Sequence, residues 1–321
     1  MSLTGMIRNS SVKKSSFERI NHEKNIKKIK TKRERHSRII CDGTDTNREH
    51  DRIQTISDAL YKCYGTSATR IVQSLHFAAS GKEYIRNHPA KGLQKASSFI
   101  YGLKAEPFHD VHSGRFEWLE KLESAHEAIY EELERAVRNP DLERLGNSIW
   151  SRAAREEAVA YGPDWRTLVL QDRCVWEETN VNLFPKTTRL VREASSPSVE
   201  VFFARQAPET GIKPHTDFTN FILTSHIGLD VPESECWMQV GGEKYWWKNG
   251  EAVVADTSFI HSTDNFSKSK DRYVLIIRFW HSDLSMLERS AIQFLFDALE
   301  DSSEDGIKCA TFRAEERLKY I

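Results

Sequence analysis

A change of hydrophobic period near Pro163 constrains this chain more than any other feature of it. From there to Trp280, apolar residues fall in short runs. They are Leu168-Val169-Leu170, Val199 to Phe203, Phe221 to Leu229, Cys236 to Val240, Lys244 to Trp247, Ala252 to Ala255 and Arg272 to Trp280. The period within them is close to two, at which side chains of an extended strand return to the same face. Polar or glycine-bearing turns separate the runs, among them Gly241-Gly242 and Asn249-Gly250, dipeptides suited to tight hairpins.

Seven or eight short strands at this spacing predict a mainly β protein with helical flanks. Its core is expected to be a double-stranded β-helix, the jelly-roll or cupin-like architecture, over residues 163–284. Residues 49–162 read as a helical region supporting that core. Ile53, Ile56, Leu60 and Tyr64 share one helical face, and Trp118, Leu122, Ala125, Ile129, Leu133 and Val137 recur at helical spacing until Asn139-Pro140 stops the run. A last helix, Leu284 to Leu299, belongs to a C-terminal stretch of helix and tail, 285–321. No run of about 18 apolar residues could cross a membrane, so no membrane anchor is expected. Five scattered cysteines without Cys-x-x-Cys spacing read as reduced thiols, and the expected compartment is cytoplasmic.

Charge divides the chain unevenly. Residues 1–40 hold twelve Lys/Arg against three Asp/Glu, a net +9, whereas the remainder carries a net −10. Residues 1–48 have too few large apolar side chains to offset the entropy of ordering, so they read as a basic disordered arm. Its run Lys27 to Arg35 would suit a nuclear or organellar signal or a nucleic-acid contact. A solvated tail is the plainer reading, because no aromatic residues are interleaved to stack on bases.

Candidate chemistry gathers at the ends of strands. His215 and Asp217 lie two apart, so an imidazole and a carboxylate can face one point in space. His261 ends a later run and can bring a second imidazole to them. Two histidines and one carboxylate leave three coordination positions open, the ligand set of non-haem Fe(II) oxygenases. Arg272 opens the last strand eleven residues after His261, and an inward guanidinium there is suited to a bidentate grip on a dicarboxylate. Arg278, on the same strand face, would meet either a substrate carboxylate or an end-of-barrel salt-bridge partner. Trp237, Tyr245, Trp246 and Trp247 are either an aromatic wall for substrate or strand packing. His109, Asp110 and His112 resemble metal ligands, yet neighbours on one loop rarely converge on one ion, and they read as structural.

From about Pro107 to Leu284 the chain resembles the aspartyl/asparaginyl β-hydroxylase family of 2-oxoglutarate-dependent oxygenases. The matching stretches are Pro208 to Thr216, His226 to Pro232, Gly250 to His261 and Arg272 to His281, in the family's order and spacing. The resemblance implies that His215 and His261 bind iron, that Arg272 holds the distal carboxylate of 2-oxoglutarate, and that His226 contacts the carboxylate nearest the metal. It also implies Fe(II), 2-oxoglutarate and O2 as the reacting set. Three departures stand out. Animal members have glycine where this chain has Asp217, so a full triad of His215, Asp217 and His261 is expected here. Ala204 replaces the family's cosubstrate-binding serine, and Thr224 replaces an arginine, so part of the grip must be rebuilt by Thr224 or Gln206.

The function this implies is oxidation of an unactivated C–H bond, hydroxylation above all, in an amino acid, a peptide or an amino-acid-derived small molecule. Two alternatives stand beside it: a biosynthetic oxygenase performing desaturation or ring closure on a specialised metabolite, and a non-catalytic jelly-roll module acting through its basic arm.

Overall fold

The computed structural model describes residues 43–139, 149–152, 160–161 and 165–321, so the basic arm at 1–42 lies outside the described residues. Six of the seven period-two runs form strands of an eight-stranded core, which Thr210–His215 and His261–Asn265 complete; the strands are labelled here in chain order. They are β1 (Ser198–Gln206), β2 (Thr210–His215), β3 (Ile222–Asp230), β4 (Cys236–Val240), β5 (Glu243–Trp246), β6 (Ala252–Ala255), β7 (His261–Asn265) and β8 (Arg272–Trp280). One antiparallel sheet runs β6-β3-β8-β1 and continues past β1 to the strand Trp165–Asp172; the other runs β5-β4-β7-β2. Successive strands therefore change sheets everywhere except at the β4–β5 hairpin, which is the winding of a double-stranded β-helix.

Alternation decides what each face of the larger sheet does. On β8, Leu275, Ile277 and Phe279 point outward into an apolar cluster with Trp118, Leu119, Phe184 and Val191, contributed by the helices Glu117–Glu123 and Pro185–Glu193 and the residue that precedes the second. Arg272, Val274, Ile276 and Arg278 occupy the other face, towards the smaller sheet. β3 repeats the pattern: Leu223, Ile227 and Leu229 go outward, Thr224 and His226 inward. Polar groups on the inner face are thus surrounded by protein on both sides, which is where burial can tune them.

The strand ends are covered by helices from both ends of the chain. Gly43–Tyr64 and Thr69–Ala79 pack with Met286–Glu300 and Glu304–Leu318 around Phe221, Ile222 and Trp280. A capping box at Ser285 and Glu288 starts the first C-terminal helix, and Arg70 of the N-terminal helices meets Glu288 at 2.7 Å.

Four local details differ from the sequence reading. The first helix opens at Gly43, inside the stretch assigned to the arm. The helical region contains a hairpin, Tyr84–His88 with Gly92–Ser98, whose first strand leaves Ile85, Arg86 and Asn87 exposed and so shows no apolar alternation. The run Trp118 to Val137 is two helices, Glu117–Glu123 and His126–Val137. At the break, the Ser124 hydroxyl donates to the Glu120 carbonyl and the His126 ring binds the Glu123 carbonyl, side chains competing with the backbone ladder. The C-terminal tail is a second helix whose buried face, Ile307, Ala310 and Ala314, is too small to stand out as an apolar stripe.

Candidate active site

His215 ends β2 and His261 begins β7, and the register of the two strands places them directly opposite each other. Their ring centroids are 4.2 Å apart. Each ring is oriented by its own backbone: Nδ1 of His215 donates to the Lys213 carbonyl at 2.8 Å, and Nδ1 of His261 to the Phe259 carbonyl at 3.0 Å. A carbonyl can only accept, so both Nδ1 atoms carry the proton and both Nε2 atoms keep a free lone pair. Asp217 follows β2, its backbone N–H donating to the Thr257 carbonyl at 3.0 Å. Its Oδ1 lies 3.9 Å from Nε2 of His215. One ligand atom from each of His215, Asp217 and His261 lies within 4.8 Å of the others, the one group of this kind among the described residues.

Electrostatics keep His261 and Asp217 in their ligating forms. Burial pushes His261 down to about 4, outweighing the opposite pull of Asp217, so its imidazole is neutral at pH 7. Burial would push the Asp217 carboxyl up, but the Arg278 guanidinium, the two imidazoles and the Thr257 hydroxyl together hold it well below the usual carboxylate range. Two imidazoles and one carboxylate fit a hard-to-borderline divalent ion such as Fe(II), so the donor set suits an iron site.

Deeper in the same cavity, of about 530 Å³, lie His226 and Arg272. Arg272 is 1% exposed, and its Nε and Nη1 have no hydrogen-bond partner. Its guanidinium carbon stands 4.3 Å over the Trp247 ring, on which His226 also stacks, at 5.7 Å. Burial pushes Arg272 down only to about 10, so it stays cationic. Burial and the Arg272 charge push His226 down to about 3, and its Nδ1 is likewise without a partner. A buried cation with unused donors is costly to leave that way. A carboxylate of a small dicarboxylate would satisfy it.

Thr224 faces the cavity too, with its hydroxyl 3.4 Å from that of Thr257. Gln206 does not serve there: its Nε2 donates to the Thr210 carbonyl at 2.9 Å and its Oε1 accepts from Thr263 at 3.5 Å. Ala204 lies in the apolar cluster beside Val274. Arg278 forms a salt bridge with Glu200, with a second carboxylate, Asp217, also close. The aromatic cluster is split by the structure: Trp247 is fully buried beneath the Arg272 guanidinium, Trp237 carries Lys244 at 3.9 Å from its ring, Tyr245 packs on Phe108, and Trp246 is exposed. His109 turns its ring to Phe116 and His281, and His112 is 3.6 Å from Glu120, so the loop histidines do not converge.

The cavity extends sideways from the triad over Phe202 to the strand Trp165–Asp172, whose Trp165, Thr167, Val169 and Gln171 face it. Trp165 Nε1 and Gln171 Oε1 are buried there without partners. Sequence reasoning missed this wall, together with Glu200 and Thr257. For Glu200 a signal existed, since a lone carboxylate at an inward position of Val199 to Phe203 needs a buried partner.

A family profile described as aspartyl/asparaginyl beta-hydroxylase matches residues 123–282. The mouse protein named aspartyl/asparaginyl beta-hydroxylase is 25% identical over 214 residues, covering 64% of this chain and 27% of the relative. Human aspartate beta-hydroxylase domain-containing protein 2 is 29% identical over 140 residues, 41% of this chain and 38% of the relative. The chain thus aligns with about a quarter of the mouse relative's length. Among solved structures, a Pseudomonas putida prolyl-4-hydroxylase aligns at 14% identity and a TM-score of 0.32, over 50% of this chain and 87% of that one. No described helix is long and apolar enough to cross a membrane.

Proposed function

This chain belongs to the aspartyl/asparaginyl β-hydroxylase family, and on that premise we propose that it is an Fe(II)- and 2-oxoglutarate-dependent dioxygenase hydroxylating an unactivated C–H bond. The observation that carries this reading is one cavity holding both a three-donor cluster and a buried guanidinium with unused donors. His215, Asp217 and His261 would hold the iron. Arg272 would hold the far carboxylate of 2-oxoglutarate, with His226 and Thr224 lining the path between. Bound there, iron supplies the oxygen activation, driven by decarboxylation of the cosubstrate. The chain's own part is to fix the open coordination face, keep the cosubstrate in one orientation and exclude water with the apolar walls Phe202, Ile212, Met238 and Ile276. Because Asp217 supplies a third protein donor, no protein-free position is left there for a halide, which favours hydroxylation over halogenation.

The substrate is proposed to be an amino acid, a peptide or an amino-acid-derived small molecule lying in the wing over Phe202 and Val169. Gln171 Oε1 is an unsatisfied acceptor at that wall, suited to an amide or amine N–H. The test is anaerobic addition of Fe(II) and 2-oxoglutarate, read as a visible charge-transfer absorption, then oxygen with candidate substrates and mass analysis. The expected result is the absorption, followed by succinate and a product heavier by one oxygen. A chain that binds neither Fe(II) nor 2-oxoglutarate is not such an enzyme.

A further inference from the structure

We propose that Arg278 is a positioning residue that decides which oxygen of Asp217 faces the metal. The inference rests on the reading of His215, Asp217 and His261 as the metal site. On β8, Arg278 stands opposite Thr224 of β3 on one side and Glu200 of β1 on the other. Its Nη1 donates to Glu200 Oε2 at 2.9 Å. Its Nη2 lies 3.6 Å from Asp217 Oδ2, while the other oxygen, Oδ1, is the one turned to Nε2 of His215. The two oxygens of one carboxylate therefore have separate neighbours, a guanidinium for one and the His215 imidazole for the other.

The physical need is rotational. The Asp217 backbone is tied to Thr257 and the Thr257 hydroxyl bonds its carboxylate, but one such bond still leaves the group able to turn about its side-chain bonds. A carboxylate free to turn can present both oxygens to an ion and use two of its positions, or swing off it. With Oδ2 drawn to Arg278, only Oδ1 is left for the metal, and three positions stay open for cosubstrate and oxygen. Glu200 holds the opposite arm of the same planar fork across the sheet, so Arg278 cannot follow Asp217 if it turns. A lysine would bring the same charge without two fixed arms.

The experiment uses Co(II) as the probe, added to the full chain, with the visible bands reporting coordination and a titration giving affinity. Arg278→Lys keeps the buried charge balance and so keeps the fold, which its thermal unfolding checks. It is expected to lose on the order of tenfold in Co(II) affinity, as when a partner of a metal ligand is removed, and to shift the bands. The double variant Arg278→Met with Glu200→Met removes the ion pair as a unit and is expected to stay equally impaired. Wild-type affinity and bands in either variant would overturn the proposal; in the double variant, that result would mean Arg278 serves only to neutralise Glu200. His261→Ala tests the metal site itself: undiminished Co(II) binding in that variant would remove the underlying reading rather than the role of Arg278.

Discussion

His215 and His261 face each other across β2 and β7 with both Nδ1 protons spent on backbone carbonyls two residues upstream. The shared pattern fixes the rings before any ion arrives. It also assigns unequal weights to the three donors, because Asp217 is oriented by other side chains whereas the histidines are oriented by the sheet.

His261→Ala is accordingly expected to abolish Fe(II) binding and turnover at any iron concentration. Asp217→Gly removes one charge from a buried pair, worth roughly 3 kcal/mol or about two decades of metal affinity, and leaves residual turnover at high Fe(II). Anaerobic titration of the charge-transfer absorption separates them. Wild-type iron affinity in Asp217→Gly would show that the carboxylate does not reach the metal.

Arg272→Lys preserves the charge beside Trp247 and loses the planar fork. Losing a charge-assisted hydrogen bond of about 1.5–3 kcal/mol should raise the half-saturating 2-oxoglutarate concentration by roughly ten- to a hundredfold, with Fe(II) binding nearly unchanged. An unaltered half-saturation point would assign the carboxylate to another group.

Gly228 tests how Trp247 is seated. A Cβ at Gly228 would stand 2.1 Å from the Lys248 carbonyl oxygen, in the segment that follows Trp247 directly. Gly228→Ala must push that segment off β3. We expect a loss of about 1–3 kcal/mol by denaturant unfolding and weaker 2-oxoglutarate binding, since Trp247 supports both His226 and Arg272. Unchanged stability and cosubstrate affinity would show that the loop gives way freely.

Asp256 gives a pH signature independent of the metal. Burial pushes its carboxyl up to about 7, against the hydrogen bonds from Ser258 that pull it down. The folded state thus prefers the protonated form, and that contribution is intact below about pH 4 and lost as pH rises towards 7. Asp256→Asn cannot ionise and keeps an acceptor for Ser258. It should be more stable than wild type by roughly 4 kcal/mol at pH 8, with the gap closing towards pH 4. Urea unfolding at both pH values checks this; parallel curves would mean that Asp256 does not titrate in this window.

Six of the eight core strands were legible because a short apolar run is a local property, whereas Thr210–His215 and His261–Asn265 carry no such run. Leu275, Ile277 and Phe279 against Arg272 and Arg278 can be read from one strand alone. His215, Asp217, His261 and Arg272 were legible for a related reason, since polar groups at the ends of apolar strands have few other uses. Thr257 and Glu200 were not, because their importance comes from partners about forty and eighty positions away that only the register brings near. Gln206 shows the opposite error: its residue type suits a ligand, but its amide is consumed by Thr210 and Thr263. The hairpin at 84–98 and the last helix escaped notice because the first strand of one is largely exposed, its second buries small and polar residues, and the other buries alanine.

The packing of the first helices against the last sets the order in which this protein can be completed on the ribosome. Ile53, Ile56 and Leu60 are synthesised more than 230 residues ahead of Leu295 and Ile307 of the same cluster. Until then that face has only part of its cluster to pack on, and a collapsed nascent chain would carry the rest exposed to aggregation or chaperone capture. The strand bearing Arg272 and Arg278 is itself the last of the barrel to emerge. Cavity and supporting helices must therefore close almost together, once the last strand and the helices after it have emerged.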